Sequence, residues 1–234
     1  MKALLITLWL TIPLAVAAYH YGPGQDRLKN DAAAAFIAEA TKAAAAGEHA
    51  AAVTACDAAL AELPTTAVAA SRQLRLLRAK ERLPVGQLPE AHDELVSLLT
   101  ELNADPAVDP GLKRETRTAL ASSKYYLAWL MRLEGGSEEQ WKPEIEASRQ
   151  HFRQLAEEAQ ANGQSALVTT QRENLESAIR LERMDLTDLQ GLPLPKQCKN
   201  CKSGKCNSKG KPKKSPPQDS RGAGKTTGPD ESGS

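Results

Sequence analysis

Between residues 31 and 184 the apolar side chains return every three or four positions, which is the spacing of one face of an α-helix. The pattern breaks at glycine or proline and then resumes. Asp31 is placed to cap a helix running through "AAAAFIAEATKAAAA". Gly47 ends it, and a second helix follows as far as Leu63, stopped by Pro64. Two helices joined by so short a turn are antiparallel neighbours. Close antiparallel packing needs small side chains at the contact, and Ala40, Ala43, Ala52 and Ala59 fall where that contact should be. Ala50 should face solvent.

The cadence recurs. "SRQLRLLRAKERL", Gly86 and "GQLPEAHDELVSLLTEL" predict a second hairpin, with Ala91, Leu95 and Leu98 inward and a proline at Pro106. A third is predicted from "KYYLAWLMRLEGG", with Leu127, Ala128 and Met131 inward, and "IEASRQHFRQLAEEA", with Phe152 and Leu155 inward; "GSEEQWKP" reads as an insertion between them. The stretch from Ser165 to Met184 reads as a capping helix.

The first hairpin resembles the tetratricopeptide repeat. Gly47, Ala52, Cys56, Ala59 and Pro64 stand at the family's spacing, and Phe36 and Ala40 fit its large and small positions in the first helix. Glu39 departs where the family has leucine, so Ile37 is expected to pack there instead. The resemblance is moderate in the second hairpin and loose in the third. It implies an all-α fold of antiparallel helix hairpins stacked as a short solenoid. About three repeats and a cap are needed for such a stack to stand alone. A generic helical bundle, as a non-catalytic subunit of a larger envelope complex, is the competing architecture.

Composition agrees with helix over sheet. The chain is 41% hydrophobic but only 4% aromatic, with alanine and leucine dominant. The formal net charge is +1, so the whole molecule is no polycation and no nucleic-acid partner is expected. The charge is uneven. From Lys196 onward there are 10 Lys+Arg against 3 Asp+Glu.

The two ends differ from the middle. Residues 1–18 read as a signal peptide or an N-terminal membrane anchor: a lysine, an apolar run over residues 3–18, and small residues that suit cleavage after Ala17 or Ala18. The run is shorter than the roughly 20 residues a spanning helix prefers, and the small-residue site favours cleavage. Either way the chain is expected to be exported, to a periplasmic or other extracytoplasmic space, or tethered there. Residues 19–30 then form a linker, 31–184 the helical repeat domain, 185–197 a second linker, and 198–234 a disordered basic tail too polar to bury a core.

Candidate chemistry is sparse. In the tail Cys198, Cys201 and Cys206 form C-x2-C-x4-C among lysines. Thiolates at that spacing can hold zinc or copper, although a closed zinc site lacks its fourth ligand. Oxidation is the preferred reading for an exported chain, with two of the three paired and no cofactor bound. A metal-handling protein is the alternative function. His20, His49, His92 and His151 form no metal pair at helical spacing. "RGAGKTTG" lacks the phosphate-loop spacing, and no nucleophile motif is present, so no enzyme is predicted. Arg75, Arg78 and Arg82 share a helix face by their spacing. In the family such residues can line a groove that receives acidic peptide ends, so the resemblance implies a partner-binding role. A basic stripe paired with nearby glutamates such as Glu81 is the plainer reading. The function expected is that of an exported or membrane-tethered adaptor for another protein, whose identity is not legible.

Overall fold

The computed structural model describes the backbone of residues 2–21 and 23–191, and the side chains of residues 9, 11–21 and 28–190. The described residues are helical, with no strand among them. The elements are α1 (Lys2–Tyr21), α2 (Pro23–Ala46), α3 (His49–Glu62), α4 (Val68–Arg82), α5 (Leu88–Ala104), α6 (Pro110–Leu133), α7 (Glu138–Ala161), α8 (Ser165–Arg183) and α9 (Leu186–Gly191). From α2 to α8 each helix packs on the next in sequence, and α9 returns to α6. The expected disorder of residues 198–234 and the tail cysteines lie outside the described residues.

One turn closes four of the helix junctions. At Gly47 the backbone enters the left-handed region (φ 74°), which costs glycine nothing. Its N–H bonds Ala44 O at 3.1 Å, and the next N–H, of Glu48, bonds Ala43 O at 2.9 Å. These two bonds satisfy carbonyls that the helix end would otherwise leave unpaired. Gly86, Gly135 and Gly163 repeat the φ, and the same pair of bonds recurs at each. Gly136 is fixed for another reason. A Cβ there would lie 2.8 Å from Met131 O, the carbonyl its own N–H bonds.

Three element boundaries differ from the sequence reading. The expected linker over residues 19–30 is largely helical. α2 begins at Pro23, where the missing N–H and fixed φ of proline suit a first helical position, so Asp31 lies inside the helix and does not cap it. "GSEEQWKP" is no insertion. Ser137 and Gln140 form a capping box, and the segment makes the first turns of α7 with Pro143 inside the helix. The linker expected from residue 185 carries α9, whose Leu189 is fully buried beside Leu181 and Trp129, so the packed part of the chain runs past Met184.

The core forms three clusters along the array. The first joins Ala40, Ala55, Cys56, Ala59 and Leu74, with Phe36, Ile37 and Leu77 against it. Ile37 packs while Glu39 is exposed, as the altered pattern suggested. The second gathers Leu76 and Ala79 with Leu95, Leu98, Leu99, Leu102 and Leu120. The third holds the large side chains Tyr125, Trp129, Ile145, Phe152, Leu155 and Leu181. α4 serves two clusters because Leu74 and Leu77 lie on a different side from Leu76 and Ala79. The alanines chosen for the first contact are all buried, and Ala52 has no exposed surface while Ala50 is open to solvent. Ala52→Leu should therefore cost roughly 1–3 kcal/mol through overpacking, and Ala50→Leu should be nearly neutral. Denaturant midpoints check this; coincident midpoints would refute the register of α3 on its neighbours.

Candidate functional site

α4 turns its arginines toward carboxylates of the two helices beside it. Spacing of three and four residues places Arg72, Arg75, Arg78 and Arg82 along one side of the helix. α5 presents Glu94 and Glu101 to them, Asp105 follows at its C-terminal cap, and α3 presents Asp57. Glu94 is the hub. It accepts from Arg78 Nε at 3.1 Å and from Arg78 Nη2, and from Arg82 Nη1 at 3.0 Å; Arg75 Nε lies 3.8 Å away. Its side chain is only 7% exposed. Arg78 also donates to Asp57 at 2.6 Å, and Arg75 to Glu101 at 2.6 Å. Arg72 spans Glu101 at 2.7 Å and Asp105 at 2.6 Å.

The network is electrically closed. Four guanidiniums face four carboxylates, and each side chain has a partner of opposite sign. Burial alone would weaken the charge on Arg78, but the bonds to Glu94 and Asp57 outweigh it and raise its pKa. Bonds from Arg72 and Arg75 hold Glu101 below the ordinary carboxylate range. Asp105 is lowered likewise, by Arg72 and by the Ala107 N–H. The three arginines singled out in the sequence are thus brought together, but onto the protein's own acids. An incoming carboxylate would have to displace Glu94 or Glu101. Reversing all three charges to glutamate would place them against Glu94 and test the fold before it tested any partner.

Glu81 does not pair with the stripe. Its carboxylate lies 2.6 Å from His49 Nδ1 at the start of α3. Cys56 is fully buried nearby, and burial pushes its thiol pKa up to about 11, which keeps it an unreactive core thiol.

Comparison with protein-family models, with curated proteins and with solved structures found no match. The site is therefore read from its own geometry.

Two further polar constellations escaped the sequence reading. Arg132 sits in the apolar run "AWLMRL", 9% exposed. Its guanidinium donates to the backbone carbonyls of Leu181 and Met184 at the end of α8 and stacks on the Trp141 ring, 4.5 Å from the centroid. Burial lowers its pKa, partly offset by the charge of Asp185. The signal was legible as one charge in an apolar face, but its targets are backbone atoms about fifty residues away. The second constellation lies where α5, α6 and α7 meet. Lys124 donates to Glu144 at 2.7 Å and lies 3.3 Å from His92 Nε2, and Arg117 pairs with Glu158. His92 is largely buried at this junction.

No group of three or more His, Cys, Asp or Glu side chains is placed to hold a metal ion among the described residues. Cys198, Cys201 and Cys206 lie outside them. An open cleft of about 460 Å³ runs beside α8 and α9, lined by Arg180, Arg183, Glu176 and Asp188 with Ile179 and Met184. Its two positive and two negative side chains balance. On α1, Trp9, Ile12, Leu14, Val16, Tyr19 and Tyr21 are exposed. No helix among the described residues is long and apolar enough to cross a membrane.

Proposed function

We propose that the chain is an exported adaptor, a tetratricopeptide-like helical array that binds another protein and carries a basic tail. The observation behind this reading is the recurrence of one glycine turn at four helix junctions, with each helix packed mainly on its sequence neighbours. An array built this way keeps a large surface for its size, and helical arrays of this kind serve as binding surfaces. The exposed apolar side chains of α1 are consistent with a segment meant for a membrane or for removal by a signal peptidase.

Because the α4 arginines are already neutralised, the adaptor reading rests on the array and not on a basic groove. The test has two parts. Fractionation of the source cells with intact-mass analysis should find the protein outside the cytoplasm, either cut after Ala17 or Ala18 or held at the membrane. Affinity capture with the full chain, followed by hydrogen exchange on the reconstituted pair, should show one stoichiometric partner protecting a contiguous surface of two or more helices. A cytoplasmic protein with an intact N-terminus overturns the export reading. Binding confined to residues 198–234 overturns the array as the binding surface.

A further inference from the structure

The cleft beside α8 and α9 carries donors that the fold leaves unused. Elsewhere in the array Arg72, Arg75, Arg78, Arg117 and Arg149 donate to carboxylates, and Arg132 donates to two backbone carbonyls. Arg180 lines the cleft, and its Nη1 is buried with no hydrogen-bond partner. Arg180, Arg183, Glu176 and Asp188 form no ion pair among the described residues, so the two signs share the cleft without neutralising one another by contact. A buried donor without an acceptor is costly, and such an atom marks a place where an acceptor belongs. Ile179 and Met184, both half-buried, give the same cleft an apolar part. Its volume of about 460 Å³ is that of a site for a small ligand or a few residues of chain.

The chain that continues from α9 has the complementary chemistry. Gly191 ends α9, and α9 contributes Asp188 to the cleft. The next residues, outside the described ones, are Leu192, Pro193, Leu194, Pro195 and Lys196. Pro193 and Pro195 have no N–H, so this segment offers more backbone acceptors than donors. Alternate prolines favour the polyproline conformation, whose carbonyls find no partner within their own chain. An acceptor-rich segment thus begins beside a donor-rich wall. Among residues 192–234, Leu192 and Leu194 are the only large aliphatic side chains, which singles out this part of the tail. Its reach also suits the cleft. Five residues in the polyproline conformation span about 15 Å. Glu176 lies about 12 Å along α8 from Met184 at the helical rise.

We propose that residues 192–196 dock in this cleft as a strap that runs from the end of α9 back along α8. Leu192 and Leu194 cover Ile179 and Met184. The backbone carbonyls of the segment accept from Arg180 and Arg183, and Lys196 meets the carboxylates of Glu176 and Asp188. The molecule uses the same chemistry next door, where Arg132 holds the carbonyls of Leu181 and Met184. The occupant is the chain's own segment because its tether is short. Leu192 follows Asp188 by four positions, so the segment competes at an effective concentration on the order of millimolar, which a free peptide or a second copy does not reach. The strap closes the C-terminal end of the array and fixes the point from which the basic tail departs. Cys198 then stands two residues beyond an anchored Lys196. None of this depends on the adaptor reading.

Methyl NMR on the full chain tests this. In the wild type, nuclear Overhauser contacts should join the methyls of Leu192 and Leu194 to those of Ile179 and Met184, at any protein concentration. Arg180→Met keeps an apolar stem but removes the donors. It should lower the docking equilibrium about tenfold, the loss expected for one hydrogen bond to a charged donor, with the amide shifts of α6 unchanged. The double variant Leu192→Ser, Leu194→Ser leaves the packed helices untouched and should move the Ile179 and Met184 methyl shifts to those of an open cleft. A wild type without these contacts overturns the strap. So do contacts that arise only between differently labelled copies, which would make the occupant a second chain, and wild-type contacts in a folded Arg180→Met protein. If Arg180→Met does not fold, the wild-type contacts and the serine variant decide: contacts that vanish in the serine variant support the strap, and unchanged Ile179 and Met184 shifts overturn it.

Discussion

Glu94→Ala should destabilise the protein by about 3 kcal/mol, because it removes the carboxylate on which three arginines of α4 converge and leaves their partly buried charges opposed to one another. The neighbouring change Asp93→Ala should stay within about 0.5 kcal/mol, since Asp93 is 85% exposed. The two positions are adjacent in sequence and both acidic, so composition and helix propensity barely separate them. Only the tertiary partners do. Glu94→Gln should fall between, retaining hydrogen-bond capacity without the charge. Added salt should reduce the Glu94→Ala effect only in part, because the pair lies too deep for full screening. Urea denaturation of the three variants at low and high salt reads all of this. Midpoints for Glu94→Ala and Asp93→Ala that agree within error would show that the network contributes specificity at most.

Arg132→Lys is the second large effect, at about 2–4 kcal/mol, although the substitution preserves charge and most of the side-chain length. The planar guanidinium reaches two carbonyls, Leu181 O and Met184 O, and stacks on Trp141 at the same time. An ammonium is a compact, strongly hydrated point charge. It cannot do all three, and its burial without a carboxylate bond is costly. Loss of the clamp frees the end of α8 and with it α9, whose Leu189 completes the third core cluster. Amides of α9 and the last turn of α8 should therefore lose protection before those of α6. Tryptophan fluorescence should report the loosened ring of Trp141. A lysine variant with wild-type stability and unchanged α9 protection would mean that the guanidinium merely occupies space.

The two effects place the weak and strong joints of the array. Between α4 and its neighbours much of the contact is ionic. Among α6, α7, α8 and α9 it is aromatic and aliphatic, with Trp129, Tyr125 and Phe152 buried at the centre.

The periodic spacing of apolar residues and the glycine stops determined the all-helical class, most helices and the first hairpin down to Ala40, Ala52 and Ala59. Those are local properties: a side chain every 3.6 residues on one face, and a left-handed turn that glycine adopts without strain. The errors at Asp31 and at "GSEEQWKP" came from weighing polar residues and prolines as breaks. Proline at the start of a helix, or a polar first turn with its own capping box, continues the helix instead. The partners of the charges were not legible, because an ion pair across two helices depends on their rotation and offset and leaves no periodic mark in either one. Spacing alone put Arg75, Arg78 and Arg82 on a shared face. It took the packing of α3 and α5 against α4 to place Asp57, Glu94 and Glu101 within hydrogen-bond reach, and the return of α8 past α6 to put two backbone carbonyls in front of Arg132.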